Sequence, residues 1–209
     1  MQKFKRTRKG YDPFECLSAI QKALRRGDEE LALYFALEMC FSGYWSWVRN
    51  RLRIVAYEDV SIADPSSVTL ALHALRDFDE MRKGNNDSWR LPLATAMLAL
   101  ARCKKSRIAN HFQAAIMDDL ESQGPKEFPD YVYDMHTREG KKLGRGIEHF
   151  LAECGKLENE ININDPYKER AAQYWIKEEK KGKKHENNPE QKSGQAGFFN
   201  SSSGKPEED

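Results

Sequence analysis

Long apolar runs are missing from this 209-residue sequence, because charge interrupts each of them well short of the roughly 20 residues a membrane span requires. No apolar segment follows the basic opening Met1-Gln-Lys-Phe-Lys-Arg, so a secretory leader is not expected, and the two features together predict a cytoplasmic protein. An excess of one charge is also missing. Lys and Arg number 34 against 33 Asp and Glu, a formal net charge of +1, so any attraction to DNA, RNA or an anionic membrane has to be local. Cysteine is scarce and scattered: Cys16, Cys40, Cys103 and Cys154 form no C-x-x-C pair, which argues against a disulfide- or metal-dependent scaffold and predicts reduced, buried thiols.

Catalytic signatures are absent as well. The phosphate-cradling pattern G-x-x-x-x-G-K-[ST] does not occur. The stretch Gly140-Lys141-Lys142-Leu143-Gly144-Arg145-Gly146 has glycines and cations but neither that spacing nor a preceding strand. No G-x-S-x-G, H-E-x-x-H or dinucleotide-binding fingerprint is found either. Common ATPase and hydrolase chemistry is therefore not expected, and no cofactor or metal is implied.

What the sequence does contain is helix punctuation. Asp12-Pro13-Phe14-Glu15 sets a cap oxygen, a first-turn proline and an acid where the orphan N–H groups of a helix start need them, and Gly27 stops that helix. Asp28-Glu29-Glu30 opens a second, through Leu31, Tyr34, Phe35 and Leu37 to Phe41, apolar on nearly every side and so expected in the middle of a bundle. Trp45, Val48, Leu52 and Val55 make the inner stripe of a third. Asp64-Pro65 repeats the cap-plus-proline device before Val68, Ala71, Leu75 and Phe78. Ser88 to Cys103, with Pro92 in its first turn, gives a fifth helix, and Ser106 caps a sixth whose Ile108, Phe112, Ala115, Ile116 and Leu120 are expected to face inward. With no alternating Val/Ile/Thr run among them, the fold class is all-α, a helical bundle with a less regular C-terminal quarter.

Four segments follow. Residues 1 to 10, with Lys3, Lys5, Arg6, Arg8 and Lys9 and no acid, form a flexible basic arm; 11 to 123 form the helical domain. Residues 124 to 177 form an extension packed on it, extended or turn-like over Phe128 to Tyr133 and then a helix from Thr137 to Cys154 broken around Gly140, Gly144 and Gly146. The hydropathy index, −0.80, is polar enough to imply an unfolded part, placed in a disordered tail over 178 to 209.

Two basic clusters are candidate DNA contacts: Arg102, Lys104, Lys105 and Arg107 around the start of the sixth helix, and Arg138, Lys141, Lys142 and Arg145 among glycines that let backbone approach a phosphate. Each competes with the simpler reading of a solvated face. Asp134, His136, Glu139 and His149, with Cys154, form a weak candidate metal or acid–base cluster lacking ligand spacing. His73 and His111 read as surface residues. Tyr44, Trp45 and Trp47 could stack bases, but their helical spacing favours core or subunit contact.

Two runs carry a resemblance: Leu24-Arg25-Arg26-Gly27-Asp28-Glu29-Glu30-Leu31-Ala32-Leu33-Tyr34-Phe35, and Arg51-Leu52-Arg53-Ile54-Val55-Ala56-Tyr57-Glu58-Asp59-Val60-Ser61-Ile62-Ala63-Asp64-Pro65. They resemble the C-terminal region of the MgsA/RarA family of AAA+ ATPases, related to clamp loaders, whose corresponding stretches read approximately R-G-S-D-x-x-A-A-L-Y-W and A-S-E-D-I-G-x-A-D-P. Leu98 to Ser106 matches the family's apolar helix and P-K-S-N corner. The resemblance covers about residues 12 to 120 and implies a clamp-loader-type collar, an all-helical domain through which such ATPases form tetramers. It casts Asp64, with Pro65, as a helix cap and Glu58 and Asp59 as partners of the basic helix faces, with Ser106 at the corner. Nucleotide hydrolysis is not carried over, since the preceding ATPase and lid regions have no counterpart, and the segment Asp134 to Lys141 reads as a local elaboration.

The leading expectation is a non-catalytic helical oligomerisation or scaffold protein of DNA replication or repair, a tetramer or dimer whose basic patches touch DNA. The alternatives are an accessory clamp-loader subunit that holds a separately encoded AAA+ ATPase, and an enzyme built on Asp134, His136, Glu139, Lys141 and His149.

Overall fold

A computed structural model describes residues 5 to 161 and 163 to 186, and among them every regular element is helical. The chain divides at Gly124 into two compact units.

In the first unit, α1 (Pro13–Arg26) starts where the Asp12 carboxylate accepts the Phe14 N–H at 2.8 Å and ends on Gly27 at φ +75°, a conformation glycine adopts without strain. Helix α2 (Glu29–Phe41) starts on Asp28, whose Oδ1 takes the Leu31 N–H at 3.0 Å. Helix α3 (Trp45–Val55) does not simply stop. Its last turn widens into a π-helical turn, Ala56–Val60, and then a 3-10 turn, Ser61–Ala63. Asp64 then caps α4 (Pro65–Lys83), its Oδ1 accepting the Ser67 N–H at 3.0 Å and the Ser66 hydroxyl at 2.8 Å. A short turn, Asp87–Trp89, leads into α5 (Arg90–Arg102), and α6 (Ile108–Ser122) closes the unit.

The core is made by α1 to α5 around Ile20, Leu24, Met39, Val48, Leu52, Leu75, Phe78, Leu93, Met97 and Leu100, all essentially inaccessible to water. Each such side chain contributes about 1.5–3 kcal/mol by leaving water. Trp45 stands edge-on to Phe78, and Trp47 contacts Phe14 and Tyr44, so these aromatics serve the core.

Two expectations about helix faces fail. Helix α2 packs on α1, α3 and α5 but is not enclosed on every side: it buries Ala32, Ala36, Met39 and Cys40 and leaves Leu31, Tyr34 and Phe41 roughly two-fifths exposed. The second failure is α6, which buries no residue at all: Ile108, Phe112, Ile116 and Leu120, expected inward, are 46–75% exposed.

The basic segment read as a flexible arm is tied down over residues 5 to 10. The Tyr44 hydroxyl donates to the Lys5 carbonyl, the Arg8 N–H to Ser42 Oγ at 2.9 Å and the Lys9 N–H to Glu38 Oε1 at 2.7 Å. Arg8 and Lys9 lie over the rings of Phe41 and Tyr34. Of the four free thiols, Cys16 and Cys40 are buried, whereas Cys103 and Cys154 are half-buried rather than enclosed.

The second unit has a thin core, with Ile147 its one buried large side chain among the described residues. A turn, Asp130–Val132, precedes α7 (Arg138–Lys142), and the expected broken helix is two pieces, because Gly144 at φ +69° reverses the chain before α8 (Ile147–His149) and its π-helical continuation Phe150–Cys154. Helix α9 (Lys168–Glu186) packs on α8 and runs through residues 178 to 186, where the sequence reading begins its disordered tail; residues 187 to 209 lie outside the described part.

Candidate functional site

The most elaborate polar arrangement in the first unit is built on the π-helical turn. Widening a helix by one residue shifts the side chains after it around the axis, and here it brings Glu58 and Asp59 together against α1. Asp59 is 2% exposed, a carboxylate that burial would make costly without partners. Arg25 supplies them: its Nε donates to both Asp59 oxygens at 2.9 Å and its Nη2 to Glu58 Oε1 at 3.0 Å. Arg107 adds a second guanidinium, 2.9 Å from Glu58 and 3.5 Å from Asp59. Gln21 donates to Glu58 Oε2 at 3.0 Å and accepts from Arg51 at 2.9 Å. The Ser106 N–H donates to the Asp59 carbonyl at 2.9 Å, while Ser106 Oγ accepts the Ile108 N–H at the head of α6. Two acids and two guanidiniums thus neutralise one another and fasten α1, α3 and α6 at one point. Ser61, at φ +48°, is a non-glycine residue in the left-handed region directly after the turn.

Beside this lock runs an open groove of about 430 Å³ between α3 and α6, lined by Arg53, Ile54, Tyr57, Ala109 and Gln113. Ile54 and Tyr57 are 48% and 59% exposed.

The two basic clusters fare unequally. In the first, Arg102 forms a two-pronged pair with Glu29, both contacts 2.6 Å, and that pair holds the Glu29 carboxyl below its ordinary range. Lys105 Nζ donates to the Ala101 and Cys103 carbonyls, closing the C-terminus of α5, as cations do at helix ends. Arg107 belongs to the lock, and Lys104 is exposed outside these contacts. In the second unit, Arg145 donates to the Asp130 and Tyr133 carbonyls at 2.8 Å and pairs with the Asp130 carboxylate, and Lys142 pairs with Glu139 at 3.0 Å. Arg138 and Lys141 are exposed.

Of the residues weighed as an acid–base or metal cluster, Asp134 and Glu139 do other work, while His149 Nε2 is buried without a hydrogen-bond partner among the described residues. Asp134 Oδ1 accepts the His136 and Thr137 N–H groups at 2.9 and 3.1 Å, and Thr137 Oγ1 accepts the Gly140 N–H, so Asp134 and Thr137 organise the start of α7. His136 stands edge-on to Phe150. No group of three or more His, Cys, Asp or Glu side chains is arranged to hold a metal ion among the described residues, nor is any helix there long and apolar enough to cross a membrane. Gln21, Arg25 and Arg51 were not singled out by sequence reasoning. Their one signal is the four-residue step from Gln21 to Arg25, and nothing local to α1 says that its partners lie more than thirty residues on.

Residues 27–193 match the sequence profile of the family described as MgsA AAA+ ATPase C terminal. The chain belongs to this family. The match runs through most of the second unit, which corrects the earlier limit near residue 120: the segment Asp134 to Lys141 lies inside the matched region. The matched stretch also begins after α1, so Arg25 falls outside it.

Replication-associated recombination protein A of Bacillus subtilis (strain 168) is 29% identical over 146 residues, covering 70% of this chain and 34% of the relative. Its namesake in Haemophilus influenzae is 32% identical over 146 residues, with 66% and 31% covered. The ATPase WRNIP1 of Dictyostelium discoideum is 28% identical over 145 residues, 68% of this chain and 16% of that protein. The chain therefore spans about a third or less of the curated relatives it matches.

Proposed function

We propose that this chain is a non-catalytic helical scaffold of DNA replication or repair, a collar that self-associates and presents basic side chains to DNA. The observation that carries the reading is the family match across both units, to relatives named for replication-associated recombination. The side-chain chemistry supports it. The acids and cations that could have formed a reactive centre are spent on the Glu58–Asp59 lock and on the caps of α7, while large apolar side chains and Lys104, Arg138 and Lys141 remain at the surface. In this reading Arg102, Lys105, Arg107, Lys142 and Arg145 shape the protein, and Lys104, Arg138 and Lys141 meet phosphate.

The test is the solution mass of the full chain by light scattering, with and without a forked DNA, at low and moderate salt. A defined oligomer and a DNA-dependent shift that weakens with salt are expected. A monomer indifferent to DNA would overturn the reading. The groove between α3 and α6 favours a second one, an accessory subunit whose surface takes a helix of a separately encoded AAA+ ATPase; there the chain alone is a monomer, and Tyr57→Ala abolishes a mixed complex.

A further inference from the structure

Helix α9 packs on α8 through one side and leaves the other in water. Its rotation is set by Glu179, whose Oε1 accepts the Ile147 N–H at 3.0 Å beside Gly146, where a Cβ would stand 2.4 Å from that same oxygen. With Ala171, Ala172 and Glu179 turned inward, the helical period puts Arg170, Tyr174, Lys177 and Lys181 in a line on the opposite side, with Gln173 and Lys180 along one flank, and all six are exposed. A groove of about 430 Å³ lies on that flank, lined by Gln173, Ile176, Lys177, Lys180 and Lys181. No acid stands in the line. Glu178 at its edge pairs with Lys181 at 2.7 Å, whereas Arg170, Lys177 and Lys180 take part in no ion pair among the described residues. Charge alone would describe a solvated face, and the ring is what departs from it: Tyr174, 59% exposed, stands within the line, about 6 Å along the axis from Arg170 and about 4.5 Å from Lys177.

We propose that this face of α9 is a binding site for single-stranded DNA, with phosphates on Arg170, Lys177 and Lys180 and one base stacked on the Tyr174 ring. This deepens the scaffold reading by adding residues other than Lys104, Arg138 and Lys141, and it rests on that reading's claim of DNA contact. Charge complementarity selects a polyanion, because three cations without protein counterions stand within about 15 Å of helix axis. In a chain whose net charge is only +1, such a local excess is where phosphate is attracted. The alternation of cation, ring and cations selects a single strand. Phosphate, base and phosphate recur along a strand in that order, and its base faces are free to stack, whereas in a duplex each face is covered by its neighbour. Stacking on a ring face carries no sequence code, so the site accepts any base. The Glu179 contact with Ile147 is what holds the ring and the cations outward together.

The test uses the full chain and fluorescence anisotropy, with an oligothymidylate of about 16 nucleotides and a duplex of the same length. Tyr174→Ala is expected to weaken single-strand binding at least about fivefold, Tyr174→Phe, which keeps the ring, to preserve it, and neither to change duplex binding. Replacing Lys177 and Lys180 together by Ala should reduce the slope of log K against log salt by about 1.4 for the single strand. All three side chains are exposed, so far-ultraviolet circular dichroism should be unchanged in each variant. A chain with Lys104, Arg138 and Lys141 all changed to Ala should still show the loss on Tyr174→Ala. Single-strand binding unmoved by Tyr174→Ala and by the lysine pair overturns the α9 site and leaves the scaffold reading standing. Equal losses on strand and duplex overturn the assignment to single strands. An unaltered chain that binds neither oligonucleotide overturns the α9 site together with the DNA contact of the scaffold reading.

Discussion

Asp64 and Asp59 show two ways for a carboxylate to matter, one local and one not. The hydrogen bonds from the Ser67 backbone and the Ser66 hydroxyl hold the Asp64 carboxyl below its ordinary value of 3.8. A lowered folded-state value means that the contribution is complete above pH 3.8 and is lost as pH falls through the folded value. Asp64→Ala is therefore expected to lower the thermal midpoint by a few degrees at neutral pH, a difference that narrows in a melting series taken below pH 4. Asp59→Ala is expected to cost more, about 3 kcal/mol in denaturant unfolding, because it strands Arg25 and Arg107 at a partly buried site. Arg25→Ala should cost at least as much, because it strands the buried Asp59 carboxylate with only the Arg107 contact at 3.5 Å. Burial pushes the Cys40 thiol up to about 12, so at pH 8 alkylation should spare Cys40 until the protein unfolds. The cap was legible because Asp64-Pro65-Ser66-Ser67 acts within four residues; of the lock only the two acids were expected, because Arg25 and Asp59 meet only after their helices have packed.

Among the elements, α7 shows how tightly a short helix can depend on one glycine. A Cβ on Gly140 would lie 1.9 Å from the Asp134 carbonyl oxygen, so Gly140→Ala has to displace backbone. Hydrogen exchange is expected to show residues 130 to 145 losing protection in that variant, whereas Gly124→Ala, which meets nothing within 4 Å, should leave it unchanged. The starts of α1, α2 and α4 could be read from the chain because capping by Asp12, Asp28 and Asp64 is a property of neighbours in sequence. The faces of α2 and α6 could not. Periodicity reports that a helix has an apolar side and is silent on whether that side meets its own chain, another copy or water, so α6 carried the same signature as the core helices while burying nothing.

For the whole molecule, a net charge of +1 means that any grip on DNA comes from a few exposed cations acting locally. If Lys104, Arg138 and Lys141 make that contact, Lys141→Ala should weaken binding alike on all DNA sequences and reduce the slope of log K against log salt by about 1. Substituting Lys142, already paired with Glu139, should change it little, and fluorescence anisotropy at three salt concentrations separates the two outcomes. By itself the sequence determined the helical class, most helix boundaries, the family and the absence of familiar nucleotide-binding motifs, because these depend on residues close together in the chain. Tertiary structure alone decided which face of α2 stays in water, that Arg25 and Arg107 close on Glu58 and Asp59, and that α6 keeps its apolar face in water. Those outcomes depend on which surfaces meet once loops have closed, a competition among distant residues that no local pattern records.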